Sequence, residues 1–491
     1  MTTSVLSVSA RDTGCLTEIS RALATATPGD TVAVRPGVYR EAPMFRQDVV
    51  LVAEDGPGTV VIEVPAGGTV LAAGGDLVIR DITLRGGDER LPLLQVVAGR
   101  VRLEGCTVAA GAPAAIHVCG GAVEMRGGAV SNSAGAGIVY EAGTGEFTGV
   151  RLHDIARSAI MVTGTCAPVF RECTLAGIAE MALLSAGSAM PRLEGCRISD
   201  VGQYAVVAQH ASRPHLAGTT MTGGQVGLLA SDEAAPVVDR CEVRDAQAHA
   251  VVAMADAAPT LSDSLIAGAG GHGVNSMGNS APRLERCEVR DCGAAGVLVT
   301  DTATPHLSGG AVVGCADAGV FLTGRSRARL QAVSVRDSAI GIAIEQDAAP
   351  ELLGLSIDGV RYGLHATGGA GCFEDSQVTG ARAAGARLAG TAGTVLGNSR
   401  LTGCRVGVEV AESARPELTS LAVEDSGTVG VLTGGPCAVT VSRSRVSGSH
   451  GPGVQARAGS TLWMRRERVR PSMKPAIKRA RGPFPAPSAG T

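Results

Sequence analysis

Several sets of residues in this chain have the types and spacing that catalysis or metal binding requires. Six aspartates, Asp154, Asp200, Asp245, Asp291, Asp337 and Asp425, recur at one position of a repeated segment. Carboxylates brought together in pairs hydrolyse glycosidic bonds, one protonating the leaving oxygen while the other activates water or attacks. His272 stands between Gly271 and Gly273 in a loop before a strand, and an imidazole is a residue type that can transfer protons. Of thirteen cysteines, Cys106, Cys173, Cys196, Cys241 and Cys287 share a second repeat position, and Cys292, Cys315 and Cys404 a third. Cysteines in such numbers raise disulfides and thiolate metal ligands. A last set is charged: Arg192, Glu194, His215, Asp239, Arg283, Glu285, His306 and Arg329 flank a recurring apolar residue, usually leucine.

The company each set keeps decides among these chemistries. Gly177, Gly223, Gly268, Gly314, Gly380, Gly403 and Gly448 occupy the aspartate position in other copies. A position that accepts Asp, Gly or occasionally Asn is a turn, because short polar side chains bond their own backbone there and glycine accepts positive φ. A catalytic carboxylate array would not interleave with glycine so freely. Gly271-His272-Gly273 resembles the G-H-G of polygalacturonases, but the N-T-D or D-D that this resemblance implies does not precede it, and His272 aligns with Ala295 in a sister copy. The first cysteine position also holds Thr219, Ser264 and Gly310, so it is a column of small inward side chains, and no C-x-x-C pair exists. Stacking at about 4.8 Å separates successive Cβ atoms more than the roughly 3.8 Å a disulfide prefers. These thiols are read as free, structural groups. No catalytic residue, cofactor or metal ligand is assigned. The eight charged residues form a mixed-charge stripe on an outward face, either a solvated sheet with opposite charges in register or a strip for a partner.

The element that must position all of them is a repeat. Pro168, Pro191, Pro214, Pro236, Pro259, Pro282 and Pro305 open successive copies roughly 23 residues apart. The pattern is P-x-L-x-x-C-x-V/I-x-D/G, a loop, then G/A-V-x-V, and its apolar column runs from Leu103 through Leu284 to Met464. Each copy holds three apolar patches too short for helices and split by Gly, Asp or Pro, so each patch predicts a short strand. One copy cannot bury its own apolar face, whereas stacked copies can. The prediction is an all-β chain, a right-handed parallel β-helix of about eighteen coils with three short strands each, near 85 Å long at about 4.8 Å per coil.

Residues 1–64 form an N-terminal cap and the first coils, 65–470 the repeats, and 471–491 a basic, Pro-rich disordered tail. Leu16, Ile19, Ala22, Leu23 and Ala26 fall at helical spacing, and Pro28-Gly29 stops the run. This short helix is expected to plug the open end of the first coil, where core and strand edge would otherwise face water. The formal charge of −3 divides into about +7 over residues 465–491 and an acidic body. An acidic body argues against specific nucleic-acid binding, and no apolar run approaches a membrane span of about 20 residues. No secretory signal is visible in MTTSVLSVSARD, so a cytoplasmic protein is expected.

PGDTVAVRPGVYRE (28–41) followed by VVLVAEDGPGTVVIE (49–63) resembles the opening of right-handed β-helix proteins of the pectin-lyase-like superfamily. The repeats are similar to its NosD/CASH-type members, in which Asn often stands at the corner held here by Cys. More narrowly, the opening resembles actinobacterial proteins joining a β-helix to a AAA+ ATPase of the CbxX/CfqX type. No G-x-x-x-x-G-K-[ST] occurs in this chain, so it has no phosphate cradle of its own. Gly37-Val38-Tyr39-Arg40-Glu41 matches the G-x-Y-x-E segment of pectin methylesterases, without their other signatures. The fold hosts enzymes and inert scaffolds alike.

The leading expectation is a non-catalytic β-helix scaffold for a protein partner, with a AAA+ ATPase as the candidate. The alternative is a polysaccharide-modifying enzyme, a lyase, hydrolase or epimerase. Carbohydrate enzymes of this fold hold sugar rings by aromatic stacking, and aromatics make up only 2% of this chain, with one Trp and four Tyr. A carbohydrate ligand is therefore disfavoured.

Overall fold

Each copy of the repeat folds as one coil of three short strands. In the coil opened by Pro191 these are Arg192–Glu194, Arg197–Ile198 and Tyr204–Ala208. Each pairs in parallel with its counterpart one coil on: Leu193 faces Leu216, Ile198 faces Met221, and Val206 faces Leu228. The computed structural model describes residues 4–12 and 14–465 and the strands 468–469 and 477–478. Among the described residues there are about 20 turns, close to the eighteen expected, and a single short helix. Among the described residues no helix is long and apolar enough to cross a membrane. Apart from Ile477–Lys478, which pairs with Val454–Gln455, the basic tail lies outside the described residues.

The chain divides into two compact units, Met1–Val252 with Asp256–Thr260, and Ala253–Ala255 with Leu261–Thr491. In the first, Leu103, Met125, Phe147, Phe170, Leu193, Leu216 and Val238 all point inward and are fully buried. Phe147 and Phe170 stack with centroids 4.8 Å apart, and Tyr140 meets Phe147 edge-on at 6.3 Å. In the second, Leu284, Leu307, Leu330, Leu352, Phe373, Leu396, Leu418 and Val441 continue the pattern. The leucine column is thus the core. A period of two puts its neighbours on the opposite face.

Corners complete the coil. Asp154, Asp200, Asp245, Asp291, Asp337 and Asp425 all lie at φ between 51° and 56°, and Gly177 at 68° holds the same place. The aspartate column is therefore a turn column, as its glycines implied. Two more such columns went unrecognised in the sequence. One holds Glu172, Arg240, Arg286 and Ala332, the other His210, Asp232, Ala255 and Gln346, all at positive φ. A left-handed residue reverses the local twist and lets a strand turn sharply, costing an L-residue roughly 1–2 kcal/mol. The corner amide stays paired with the next coil, as in Glu172 N–H to Glu194 O at 2.8 Å, which offsets part of that cost. Elsewhere the corner lies inside a strand: Val70–Arg80 and Leu94–Glu104 run eleven residues each, with left-handed Gly75 and Gly99 and a shift of register between them. Gly99 (φ 79°) falls in that shift, and a Cβ there would lie 2.3 Å from Gly75 O, so only glycine fits.

The cysteines of the first column point inward beneath a corner. Cys173, Cys196 and Cys287 donate to the carbonyls of Phe147, Phe170 and Leu261 one coil back, at 3.4–3.5 Å. Burial pushes the Cys106 and Cys241 thiols up to about 11, so little reactive thiolate forms at neutral pH. Of the thirteen thiols only Cys15, Cys119 and Cys372 are half-buried rather than buried. Native labelling with a bulky thiol reagent is expected to stop at those three, the rest reacting after unfolding. Mass-spectrometric detection of native labelling at Cys106 or Cys287 would contradict the inward register.

At the N-terminal end, Val5–Val8 pairs in parallel with Asp30–Val34, which pairs with Val49–Ala53. The helix Ile19–Thr25 buries Ile19, Ala22 and Leu23 and packs against Val5–Val8, Asp30–Val34 and Met44–Phe45. Glu18 at its N-cap makes no side-chain bond. Glu41 substitutes from a distance, its carboxylate accepting the Ile19 and Ser20 N–H groups at 2.8 and 2.7 Å. The buried Tyr39 donates its hydroxyl to Arg35 O at 2.8 Å. The conspicuous residues of the G-x-Y-x-E segment are therefore structural: one is core, the other a helix cap.

Asp30 ties this end together. Its carboxylate accepts N–H bonds from Thr27 at 2.7 Å and Ser4 at 2.9 Å. Those bonds, Thr27's foremost, hold its pKa far below the ordinary carboxylate value. A depressed folded pKa contributes stability above the unfolded value of about 3.9 that is lost as pH falls through the folded one. Pepsin is therefore expected to cut the Ser4–Asp12 segment at pH 2 but spare it at pH 4. Asp30→Ala should expose the segment at both. Equal resistance of the variant and the parent at pH 4 would show that Asp30 does not hold the segment.

Candidate functional site

The eight charged residues expected on an outward stripe fall four to each unit. In the first unit Arg192 and Glu194 flank the buried Leu193, His215 stands opposite Arg192 one rung on, and Asp239 follows Ala217 in the Glu194 row. This part is neutralised internally. Arg171 bridges Glu146 at 2.5 Å and Glu194 at 2.9 Å, Arg192 reaches Glu194 at 2.9 Å, and Arg240 reaches Asp239 at 2.7 Å. Such exposed pairs contribute on the order of 0–1 kcal/mol each. They set the register of charge more than the stability.

The second unit differs. Arg283, His306, Arg329 and Glu351 occupy four consecutive rungs of one row, with Glu285, Ser308 and Gln331 in the row beside it. Arg283 and Arg329 are exposed and His306 is half-buried. Arg329 has Glu351 at 3.7 Å. Among the described residues Arg283 makes no ion pair, and His306 Nε2 is covered without a hydrogen-bond partner. Two arginines two coils apart, about 9.6 Å at the strand spacing, thus share one row with a histidine between them.

The other chemistry-bearing residues are dispersed. The six turn aspartates are exposed at left-handed corners. His272 accepts the Ala295 N–H at 3.2 Å through Nδ1, a loop-bracing contact with the coil above. One cluster escaped the sequence reading. His117 is the penultimate residue of the strand Ala114–Val118, Cys119 follows that strand, and Glu141 stands opposite Cys119 just after the strand Ala136–Tyr140. Cys119 belongs to neither cysteine column. The available signal was His-x-Cys with Glu one coil later, which becomes visible only when the 22-residue register is known.

A family profile described as "Right handed beta helix region" matches residues 136–281, 181–339 and 340–478. No curated protein matches the chain. Among solved structures it is similar to the Azotobacter vinelandii mannuronan C-5 epimerase AlgE6 A-module, at 14% identity and TM-score 0.33, over 70% of this chain and 88% of that one. It is similar to the PL6 family alginate lyase AlyGC at 10% identity and TM-score 0.30, over 91% and 98% of the two chains. A third is the pectin methylesterase from Aspergillus niger, at 14% identity and TM-score 0.27, over 58% and 84%. The profile covers well over half of the sequence, and the coils it spans are parallel strands in register: the chain belongs to the right-handed beta helix family.

Proposed function

We propose that the protein is a non-catalytic β-helix scaffold, acting in the cytoplasm, that presents the outward row of its first strands to an acidic protein partner. The observation that carries this is the row Arg283, His306, Arg329, in which Arg283 makes no ion pair among the described residues. Like charges in neighbouring rungs repel, and a sheet selected only for its own stability alternates them. In the first unit Arg171 and Glu194 do alternate in one row, and Arg171 also reaches Glu146 in the row beside it. With Arg283 unpaired and Arg329 met only by Glu351 at 3.7 Å, the row instead offers charge complementarity on a rigid, in-register sheet at little ordering cost. The likeness of the opening to β-helices joined to CbxX/CfqX-type AAA+ ATPases makes such an ATPase the first partner to test.

In a binding assay with the purified ATPase, Arg283→Glu/Arg329→Glu is expected to lose affinity at least ~10-fold, about 1.4 kcal/mol, with an unchanged melting curve. Binding by the parent should weaken with salt. Undiminished binding by the charge-reversed chain would remove this row from the interface. The competing reading, a polysaccharide-modifying enzyme, predicts turnover of alginate or pectin by the purified chain, abolished by Asp291→Asn. That result would replace the scaffold.

A further inference from the structure

We infer that His117, Cys119 and Glu141 form a zinc site with one position open to water. The three ligand atoms lie within 4.8 Å of one another. Two of the three separations match the edges of a coordination tetrahedron. Zinc bonds of about 2.3 Å to sulfur, 2.0–2.1 Å to nitrogen and 2.0–2.2 Å to oxygen, at tetrahedral angles, give edges near 3.6 Å for N···S and roughly 3.3–3.4 Å for N···O. Cys119 Sγ lies 3.6 Å from both ring nitrogens of His117, and Nε2 lies 3.3 Å from Glu141 Oε1, so a small turn of the ring and thiol aims Nε2 at a shared ion.

The surroundings are built as a metal site requires. Gln95 Nε2 stands 3.7 Å from Cys119 Sγ as a donor, the second contact that orients a thiolate ligand and stabilises its charge. The ligands sit on fixed backbone: Cys119 N–H bonds to Val96 O at 2.9 Å and Glu141 N–H to Val118 O at 3.0 Å. Binding therefore needs little ordering beyond the side chains. The His117 side chain is 20% exposed and Glu141 61% exposed, so a metal is covered on the protein side and open to solvent on the other. One sulfur, one imidazole and one carboxylate form a borderline-soft set, which suits zinc rather than magnesium or calcium. Zinc would displace the His117–Glu141 contact and the thiol proton, joining two coils through one ion.

The test uses the full chain, stripped with chelator and titrated with zinc in competition with a chromophoric chelator, then with cobalt(II). One equivalent per chain is expected, with release of about one proton as the thiol becomes a ligand. The cobalt form should show a thiolate-to-cobalt charge-transfer band and the intense visible absorption of tetrahedral geometry. Cys119→Ser and His117→Gln should each abolish the equivalent, and Cys372→Ser, removing another half-buried thiol, should preserve it. Gln95→Leu, which leaves all three ligands, should weaken binding about 10- to 100-fold. Melting curves of the metal-free variants check that each is folded. No bound equivalent, a cobalt spectrum without the thiolate band, or parent-like binding by Cys119→Ser would each overturn the site.

Discussion

Asn132→Asp is expected to cost the fold about 3–5 kcal/mol at neutral pH, the penalty of an uncompensated buried charge. Asn132 is fully buried. Its amide nitrogen donates to Ala112 O at 2.8 Å and Ala136 O at 2.6 Å. Its oxygen accepts the Ala112 and Ala134 N–H groups at 3.1 and 3.2 Å. All four of its bonding positions are used, and they clamp residues of two successive coils. Aspartate keeps the shape and both acceptances but turns a carboxylate toward two buried carbonyls. Burial and those carbonyls raise its folded pKa above the unfolded value of about 3.9. The penalty therefore grows with pH above that value, by up to about 1.4 kcal/mol per unit, until the folded pKa is passed. Urea midpoints should show a smaller loss at pH 5 than at pH 7, while Asn132→Leu, losing all four bonds, should be destabilised equally at both. A pH-independent loss in Asn132→Asp would mean that the carbonyls do not meet the charge.

Leu284→Asp should be comparably severe. Leu284 is 3% exposed and faces Leu307 across the next rung. A carboxylate there finds no donor, and burying an unbonded polar group costs several kcal/mol, about 2–7 by most measures. Arg283→Asp, one residue away on the solvent face, should stay within about 0.5 kcal/mol of the parent and relieves the cationic row. A one-residue slip in register exchanges these two faces. Equal destabilisation in urea would therefore contradict the strand register itself.

Much of this was legible because a β-helix writes its geometry once per coil. The column from Leu103 to Val441 is visible because each coil must put one large apolar residue in the same interior place. The aspartate corners are visible because Gly177 or Gly223 substitutes for Asp without change of backbone. The other two corner columns were hidden by their composition. Glu172, Arg240 and Ala332 are not turn formers, and they adopt positive φ because the pairings on either side of the corner leave no alternative. The long strands Val70–Arg80 and Leu94–Glu104 were hidden for the converse reason, since glycines that usually mark a break lie inside them. Of the charged stripe, the alternation of residue type was readable. Which arginine finds a carboxylate was not: Arg171 gathers two glutamates and Arg283 none, a matter of side-chain reach across rungs. His117, Cys119 and Glu141 are brought together by stacking alone.

Parallel pairing from coil to coil also fixes how this chain finds its structure. Strand partners such as Leu193 and Leu216, or Leu284 and Leu307, are one coil apart in sequence. A typical contact thus spans about 23 of 491 residues, a relative contact order near 0.05, below the roughly 0.07–0.12 of helical bundles. Closing each loop costs the same small entropy whether the chain holds five coils or twenty. Folding has no long-range pairing to wait for, and a formed coil is a template for the next. The search time of this all-β protein is set by nucleating one pair of coils rather than by its length, and stretches of coils melt separately when denaturant weakens the joints between them.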